Sequence, residues 1–336
     1  MGWRSQIAQE LTKWTHIVAE DFARFESALE GGGFFGVRVI LLKEQVYFKI
    51  FRSEPNPQKG HTLRYTLSAL MAMKQLVWHA HAVGAPLRQG VVFHIQYGDG
   101  CTESADTSMP MFGYNNADGY GGSYVDRCKS TVGFPSYDWW WPSQSHQPDA
   151  EARMDVATDV PWSQKRPVLL FRGTLNSWDG MRIAALWASL QHPEYVDAKL
   201  VKLRPGNCEQ FLGTTKVWGQ QRPEMNFTEN CLDIVGKLMR PQDFAGYKYW
   251  LDIDGHGASF RYKNYLFGDA VIFKVESEYY QHFHNALQPW VHYIPVPKFN
   301  FNSILLERVK WARDHDLECQ QMVKRTRAWG KEISHA

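Results

Sequence analysis

The sequence predicts an α/β protein in which strands and helices alternate around a mostly parallel sheet. The main observation is that short apolar runs alternate with helical patterns from Pro167 to Pro295. The second is size, because 336 residues, of which 44% are hydrophobic, are enough for two domains. We place the boundary in the proline-containing stretch 142–161, which separates an N-terminal domain, 1–155, from a C-terminal domain, 156–336.

The N-terminal domain is predicted to combine helices with a few strands. The predicted elements are an amphipathic helix over residues 5–30, a hairpin of Val37–Leu42 and Gln45–Phe51, a helix over Thr62–Val83 and a strand over Val91–Tyr97. The following stretch, 99–150, is rich in Gly, Ser, Asn, Asp and Pro. Long irregular stretches of this kind are usually functional or mobile.

The C-terminal domain is predicted to repeat a strand–helix pattern, which favours a parallel sheet. The predicted strands are Pro167–Phe171, Ala198–Leu203, Tyr247–Ile253, Ala270–Val275 and Val291–Pro295. The predicted helices are Gly180–Leu190, one that begins over Ser259–Tyr265, Tyr279–Leu287, and one or two within Leu305–Gly330.

Charge and hydropathy exclude some classes of partner. The 37 Lys and Arg against 35 Asp and Glu leave a net charge of +2, so we expect no nucleic acid as the main partner. No run of 18 apolar residues is present, so we expect no transmembrane segment. Residues Met1–Trp14 lack the basic-then-apolar order of a signal peptide. Because the net charge is close to zero, an anionic ligand must be held by local basic groups.

The five cysteines argue against a structural zinc site, because none lie in a Cys-x-x-Cys pair. Their odd number leaves at least one thiol free. Cys101 with Cys128, and Cys208 with Cys231, are candidate disulfides in an oxidising compartment, but spacing alone does not decide the pairing.

Aromatic residues are abundant, at 14% of the chain with 14 Trp, and most are expected to fill the core. Three consecutive tryptophans, 139–141, cannot all point into one core. Since flat rings stack on the apolar faces of sugars, Tyr137, Trp139 and Trp140 are candidate sugar-binding residues.

Two segments are candidate anion-binding sites. The first, Phe171-Arg172-Gly173-Thr174, follows a strand, and Arg172 offers a fork of donors suited to phosphate oxygens. The second runs from the end of another strand through Gly255-His256-Gly257-Ala258-Ser259 to Arg261, where backbone N–H groups and a hydroxyl favour an anion. Because ligands of open α/β sheets bind where strands end, the pair predicts a nucleotide diphosphate between them.

Asp252 and Asp254 admit other interpretations. They imitate the Asp-x-Asp metal motif of some transferases, a phosphatase nucleophile loop and the start of an EF-hand. Lys263 stands where an EF-hand needs Glu, and the phosphatase pattern lacks its usual Thr or Val after the glycine. We interpret both aspartates as structural residues at the strand end and predict no metal site.

The order of these segments resembles glycosyltransferase family 90, which includes protein O-glucosyltransferases and capsule xylosyltransferases. The resemblance extends from Phe171-Arg172-Gly173-Thr174 through Asp254–Arg261 to Pro289-Trp290-Val291-His292-Tyr293-Ile294-Pro295-Val296. It is specific over residues 167–300 and looser over 35–145. It implies a GT-B-like fold, with two Rossmann-type domains, an acceptor-side N-terminal domain and a UDP-sugar in the C-terminal one.

By this resemblance, the chain transfers xylose or glucose from a UDP-sugar to a hydroxyl of a glycan or protein, with inversion. The implied donor-binding residues are Phe171, Arg172, Gly173, Thr174, Ser177, Arg182, His256, Gly257, Ala258, Ser259, Phe260 and Arg261. Of these, Arg172 and Arg261 would also stabilise the leaving diphosphate. No cofactor is expected, while a role for a divalent metal stays open.

The catalytic base is the main departure from the family. Relatives place an Asp where this chain has Thr131, which is no base at neutral pH. Asp126 and Asp138 are alternative bases. A third interpretation is a catalytically inactive, glycan-binding homologue. The resemblance fits a protein of the ER or Golgi lumen, whereas the absence of a visible signal leaves the cytoplasm open.

Overall fold

The computed structural model describes residues 160–175, 180–224, 231–255, 257–259 and 261–334. Before residue 160 it describes the strands given below and scattered helical positions between 20 and 27 and between 73 and 84. Most of the two predicted N-terminal helices therefore lies outside the described residues. None of the helices in the described part is both long and apolar enough to cross a bilayer.

The chain divides into two compact units, one made of Met1–Asp149 with Glu278–Ala286 and the other of Ala150–Ser277 with Leu287–Ala336. The first contains the strands β1 (Gly36–Leu42), β2 (Gln45–Phe51), β3 (Val91–Gln96), β4 (Met111–Gly113), β5 (Asn116–Ala117) and β6 (Thr131–Gly133). Five of them form one sheet in the order β2-β1-β3-β4-β6. The antiparallel β1–β2 pair confirms the predicted hairpin, and β3, β4 and β6 run parallel.

The second unit is built on a sheet of five strands, which are β7 (Arg166–Gly173), β8 (Val196–Leu200), β11 (Tyr247–Asp252), β12 (Val271–Val275) and β14 (Ile294–Val296). These strands are parallel and lie in the order β14-β12-β11-β7-β8. A short antiparallel hairpin, β9 (Lys216–Val217) and β10 (Gln220–Gln221), lies outside it. The predicted α/β architecture with a parallel sheet is confirmed for this unit.

The helices of the second unit are α1 (Met181–Gln191), α2 (Asn207–Gly213), α3 (Pro241–Phe244), α4 (Arg261–Tyr265), α5 (Phe301–Asp314) and α6 (Asp316–Ser334). Helix α1 is mainly apolar and almost wholly buried, as expected of a helix packed in a core, and its buried polar residues are Arg182 and Ser189. It begins after Gly180, whose φ of 70° lies in the left-handed region that favours glycine.

Side chains alternate between the two faces of this sheet. Leu169, Phe171, Leu251 and Phe273 belong to a core cluster that also contains residues of α1, α5 and α6. Trp250 belongs to the alternate set, and its ring packs 5.2 Å from that of Tyr265 and 5.9 Å from that of Phe244. The sheet is therefore buried on both faces, as parallel sheets generally are.

The prediction of a helix over Tyr279–Leu287 is wrong. Tyr279–Tyr280 form strand β13, which pairs with β5, and only His284–Ala286 make a short 3-10 turn. A partner distant in sequence thus overrides the local helical pattern, and tyrosine suits a strand. The last strand also begins later than predicted, at Ile294, because residues 288–293 form a hydrogen-bonded turn.

Cys208 and Cys231 form a disulfide, with their Cα atoms 5.7 Å apart. This pairing is one of the two that the sequence left open. Cys319 is a free, buried thiol, and Cys101 and Cys128 lie outside the described residues.

Candidate functional site

The carboxyl ends of β7 and β11 lie side by side in the sheet and form the candidate site. The segment after β7 continues through Thr174, and the segment after β11 runs from Ile253 to Ser259 and into α4. The two segments singled out in the sequence are therefore brought to one edge, where open α/β sheets bind their ligands.

Arg182, in the first turn of α1, connects both strand ends from below. Its Nη1 donates to the carbonyl oxygen of Thr174 at 2.7 Å, and its Nη2 donates to that of Ile253 at 3.2 Å. Only 4% of its surface is exposed. A buried guanidinium at this position both fixes the spacing of the two ends and places positive charge beneath them.

Arg261, the first residue of α4, makes a second connection across the edge. Its Nη1 donates to the backbone oxygen of Arg172 at 2.6 Å, and its guanidinium lies 5.1 Å from the centre of the Phe171 ring. Gly173 permits this approach, since a Cβ there would come within 2.7 Å of the Phe171 ring and 3.2 Å of the Arg261 Nη2.

The loop between β11 and α4 is closed by Asp254. Its Oδ1 accepts the backbone N–H of Ser259 at 3.1 Å, and Gly255 N donates to Gly257 O at 3.1 Å. The Ser259 side chain is buried, with 5% of the residue exposed, and its hydroxyl finds no hydrogen-bond partner among the described residues. Buried hydroxyls are normally paired, so this one is a candidate ligand contact.

A buried ionic cluster lies beneath the loop. Lys274 Nζ is 3.1 Å from Asp252 Oδ2 and 3.5 Å from Asp254 Oδ1, while the Ser277 hydroxyl donates to Asp254 Oδ2. Burial disfavours the ammonium, but Asp254 and Asp252 more than offset this, so the pKa of Lys274 lies above its ordinary value. Burial raises the pKa of Asp254 despite Lys274.

Arg172 contributes its backbone oxygen to the contacts at the candidate site, whereas its guanidinium contacts Asp197. Its Nη2 donates to Asp197 Oδ2 at 2.9 Å and its Nη1 to the Asp197 backbone oxygen at 2.7 Å, and the Tyr247 hydroxyl donates to the same carboxylate at 3.0 Å. Burial opposes the charge of Asp197, but Arg172 and Tyr247 outweigh it, so the pKa of Asp197 lies below its usual value. Phosphate binding by the Arg172 side chain stays a prediction.

Several predicted site residues lie outside the described part of the chain. They are the alternative bases Asp126 and Asp138, the aromatic residues Tyr137, Trp139 and Trp140, and the donor-side residues Ser177, His256 and Phe260. Among the residues that are described, Thr174, Gly257, Ala258 and Ser259 lie in the two edge loops.

Sequence reasoning assigned no role to Lys274 or Asp197. The signal for Lys274 was present, because a lysine inside the apolar run Val271–Val275 must find a partner when buried. Asp197 gave no comparable signal, since its strand alternates between apolar and polar residues.

No metal ligand set is formed in the described part of the chain, where no three His, Cys, Asp or Glu side chains converge. At Asp252 and Asp254, a lysine ammonium lies against both carboxylates.

A family model and several curated relatives match this chain. The family described as Glycosyl transferase family 90 matches residues 99–333. Protein O-glucosyltransferase 3 of Mus musculus is 34% identical over 50% of this chain and 28% of its own length. Protein O-glucosyltransferase 2 of Danio rerio is 51% identical over 24% and 16%, and O-glucosyltransferase rumi of Drosophila melanogaster is 26% identical over 57% and 44%. The chain thus spans less than half the length of each of these relatives.

Among solved structures, the C-terminal domain of a Glycosyl Transferase Group 1 Family Protein from Francisella tularensis matches with a TM-score of 0.34 at 6% identity. The match covers 54% of this chain and 91% of that domain. At this level of similarity it has no bearing on function.

Proposed function

The chain belongs to glycosyltransferase family 90, and on this premise we propose that it transfers a sugar from a UDP-sugar to an acceptor hydroxyl with inversion at the anomeric carbon. The observation that carries the proposal is that Arg261, Arg182 and the Ser259 hydroxyl, which has no hydrogen-bond partner among the described residues, all belong to the strand ends at one edge of a parallel sheet. Such an edge suits a ligand with a diphosphate.

The diphosphate is assigned to the loop between β11 and α4. Arg261 has guanidinium donors beyond the Nη1 that contacts the β7 backbone, and the Ser259 hydroxyl supplies a further donor. Arg182 adds charge from below without leaving its two carbonyl contacts. In the reaction, these groups stabilise the negative charge that builds up on the leaving UDP.

The chemistry is a single displacement. A base takes the proton of the acceptor hydroxyl, the acceptor oxygen forms a bond to the anomeric carbon, and the bond between that carbon and the diphosphate oxygen breaks. The bond's electron pair leaves with UDP. Asp126 and Asp138 are the proposed alternative bases. Arg172 is proposed as a further phosphate ligand, for which its guanidinium would leave Asp197 and bind the diphosphate of the UDP-sugar.

Glucose is the first donor to test, because the relatives bear the name O-glucosyltransferase. Xylose differs by one hydroxymethyl group and is retained as the second. The acceptor is proposed to be a glycan or protein hydroxyl held by Tyr137, Trp139 and Trp140.

A panel of ligands tests the donor site. We expect UDP, UDP-glucose and UDP-xylose to raise the melting temperature, with about 2.7 kcal/mol of stabilisation when the ligand concentration is ~100 times Kd. GDP-mannose serves as the control for the nucleotide. If no UDP compound shifts the melting temperature while the protein is folded, the proposal is wrong.

Thr131 supports a second candidate, a glycan-binding homologue without catalysis. This residue opens β6 and pairs with Met111, and by the family resemblance it stands where the base is expected. Slow hydrolysis of UDP-glucose separates the two candidates. The transferase predicts turnover that falls in the double variant Asp126→Ala and Asp138→Ala, whereas the homologue predicts UDP-sugar or glycan binding without turnover.

A further inference from the structure

We propose that Lys274 is a positioning residue that serves as the built-in cation of the Asp252-x-Asp254 pair. It takes the place that a divalent metal occupies in such motifs and holds the phosphate loop, of which Gly255 and Gly257–Ser259 are described, in its binding form. The inference rests on the proposed function where it concerns UDP. It adds a cation site that is filled by the chain itself, so UDP binding needs no metal at this motif.

The geometry of the cluster is that of a cation between two carboxylates. Lys274 reaches Asp252 Oδ2 at 3.1 Å and Asp254 Oδ1 at 3.5 Å, and the exposed fractions of the three residues are 8%, 0% and 7%. An ammonium is a compact charge with three donors, so it can serve both carboxylates at once. A divalent ion at the same place would first have to displace this buried ammonium.

Protonation of Lys274 is secure at neutral pH. The same two carboxylates hold the pKa of its ammonium above the ordinary lysine value in spite of burial. The Tyr262 ring adds to this, because its centre lies 5.2 Å from Nζ. The positive charge is therefore permanent and is not switched by physiological changes of pH.

The charge is transmitted to the loop through Asp254. One carboxylate oxygen accepts the backbone N–H of Ser259, and the other accepts the hydroxyl of Ser277, which follows the neighbouring strand β12. Burial raises the pKa of Asp254, and Lys274 opposes that rise. Without Lys274 the burial penalty on the charged carboxylate would lose the ammonium that opposes it. Asp254 would then bind its proton more readily and be a weaker acceptor for Ser259, so the anchor of the loop leading to Arg261 would weaken.

Lys165 offers a matched control in the same unit. It is also buried, at 3% exposure, and its Nζ lies 3.3 Å from Asp269 Oδ2 and donates to the Asp269 backbone oxygen at 2.8 Å. It precedes β7, at the opposite edge of the sheet from Lys274. Replacing either lysine removes a buried cation, but only one of them lies beneath the phosphate loop.

The first measurement needs no variant. UDP binding to the wild-type protein is measured by calorimetry in excess EDTA and in excess MnCl₂, and we expect the same Kd in both. The second compares Lys274→Met with Lys165→Met, both of which keep the side-chain volume. Lys274→Met is expected to weaken UDP binding by at least about tenfold, as misplacement of a binding loop can, whereas Lys165→Met keeps the wild-type Kd. A wild-type Kd that rises in EDTA, or equal Kd values for the two variants, would overturn the proposal.

A third measurement is independent of UDP. Lys274→Ala opens space between the two carboxylates, so titration with MnCl₂ alone should raise the melting temperature of this variant. Neither the wild type nor the double variant Lys274→Ala with Asp252→Asn should respond. Stabilisation of the wild type as large as that of Lys274→Ala would contradict the built-in cation. If the wild type binds no UDP in either buffer, the proposed function fails, while this manganese comparison still decides the role of Lys274.

Discussion

The carboxyl edge and the amino edge of the parallel sheet contain similar basic groups, an arginine and a buried lysine at each, but only the carboxyl edge is the candidate site. At the carboxyl end of β7, Arg261 donates to the backbone oxygen of Arg172 at 2.6 Å, and its guanidinium lies 5.1 Å from an aromatic ring. At the amino end, Arg313 donates to the backbone oxygen of Pro167 at 2.8 Å and lies 4.2 Å from another ring. Each arginine thus caps one end of the same strand.

The buried lysines repeat the comparison. Lys274 contacts Asp252 and Asp254 near the carboxyl edge, and Lys165 contacts Asp269 near the amino edge. The two clusters differ in whether a buried polar group without a described partner lies nearby. The Ser259 hydroxyl near the first cluster has no partner among the described residues, and it lies in a loop that leads directly into Arg261. We therefore take the hydroxyl without a described partner, rather than the paired charges, as the feature that distinguishes the carboxyl edge.

Replacing the two arginines gives the largest expected contrast. Arg261→Ala should weaken UDP binding by roughly 100-fold, about 2.7 kcal/mol, because a charged donor to the diphosphate is lost. Arg313→Ala should lower the melting temperature and leave the Kd unchanged. Calorimetric titration with UDP measures both. Equal losses of affinity would show that the carboxyl edge is not special.

Gly173→Ala tests the close approach at the same edge. A Cβ at 2.7 Å from the Phe171 ring and 3.2 Å from Arg261 Nη2 must displace one of them, which should cost about 1–3 kcal/mol of folding free energy and weaken UDP binding. Gly213→Ala is the control, because nothing lies within 4 Å of a Cβ there. Urea unfolding and a UDP titration report the two effects, and a neutral Gly173→Ala would contradict the packing.

The dependence of stability on acidic pH tests whether the Arg172 guanidinium is held by Asp197 or is available to the ligand. The folded pKa of Asp197 is below its ordinary value, so its pairing stabilises the protein above about pH 4 and is lost as the pH falls through the lowered pKa. Asp197→Asn should remove about 1 kcal/mol at neutral pH and flatten this acid limb in a series of melting curves. An unchanged acid limb would mean that Arg172 is free for another partner.

The smallest expected change in UDP affinity is tested with two buried serines, Ser259 and Ser189. Ser259→Ala should weaken UDP binding a few-fold, about 1 kcal/mol, at no cost in stability, because its hydroxyl has no protein partner in the described part of the chain. Ser189 Oγ accepts the backbone N–H of Ala198 at 3.0 Å, so Ser189→Ala should cost about 1–3 kcal/mol of stability and leave UDP binding intact. If instead Ser259→Ala lost stability and Ser189→Ala lost UDP affinity, the ligand contact would have been assigned to the wrong serine.

Sequence reasoning predicted the strands of the second unit well and one of its helices wrongly. Apolar, β-branched runs in a sequence indicate buried parallel strands. The bounds of β7, β11 and β12 were predicted within a residue or two at each end. The segment Tyr279–Tyr280 misled because its strand exists only through pairing with β5. Local patterns cannot reveal a partner that lies far along the chain.

What the sequence determined by itself was the family, the parallel α/β unit and the two segments that meet at its carboxyl edge. These depend on residue types in short windows, where periodicity and turn chemistry act locally. Only the tertiary structure decided that Arg172 contacts Asp197, that Lys274 lies against both aspartates, and that the Ser259 hydroxyl has no partner in the part of the chain that is described. Those outcomes follow from which distant side chains share a buried space, where each charge must find a partner.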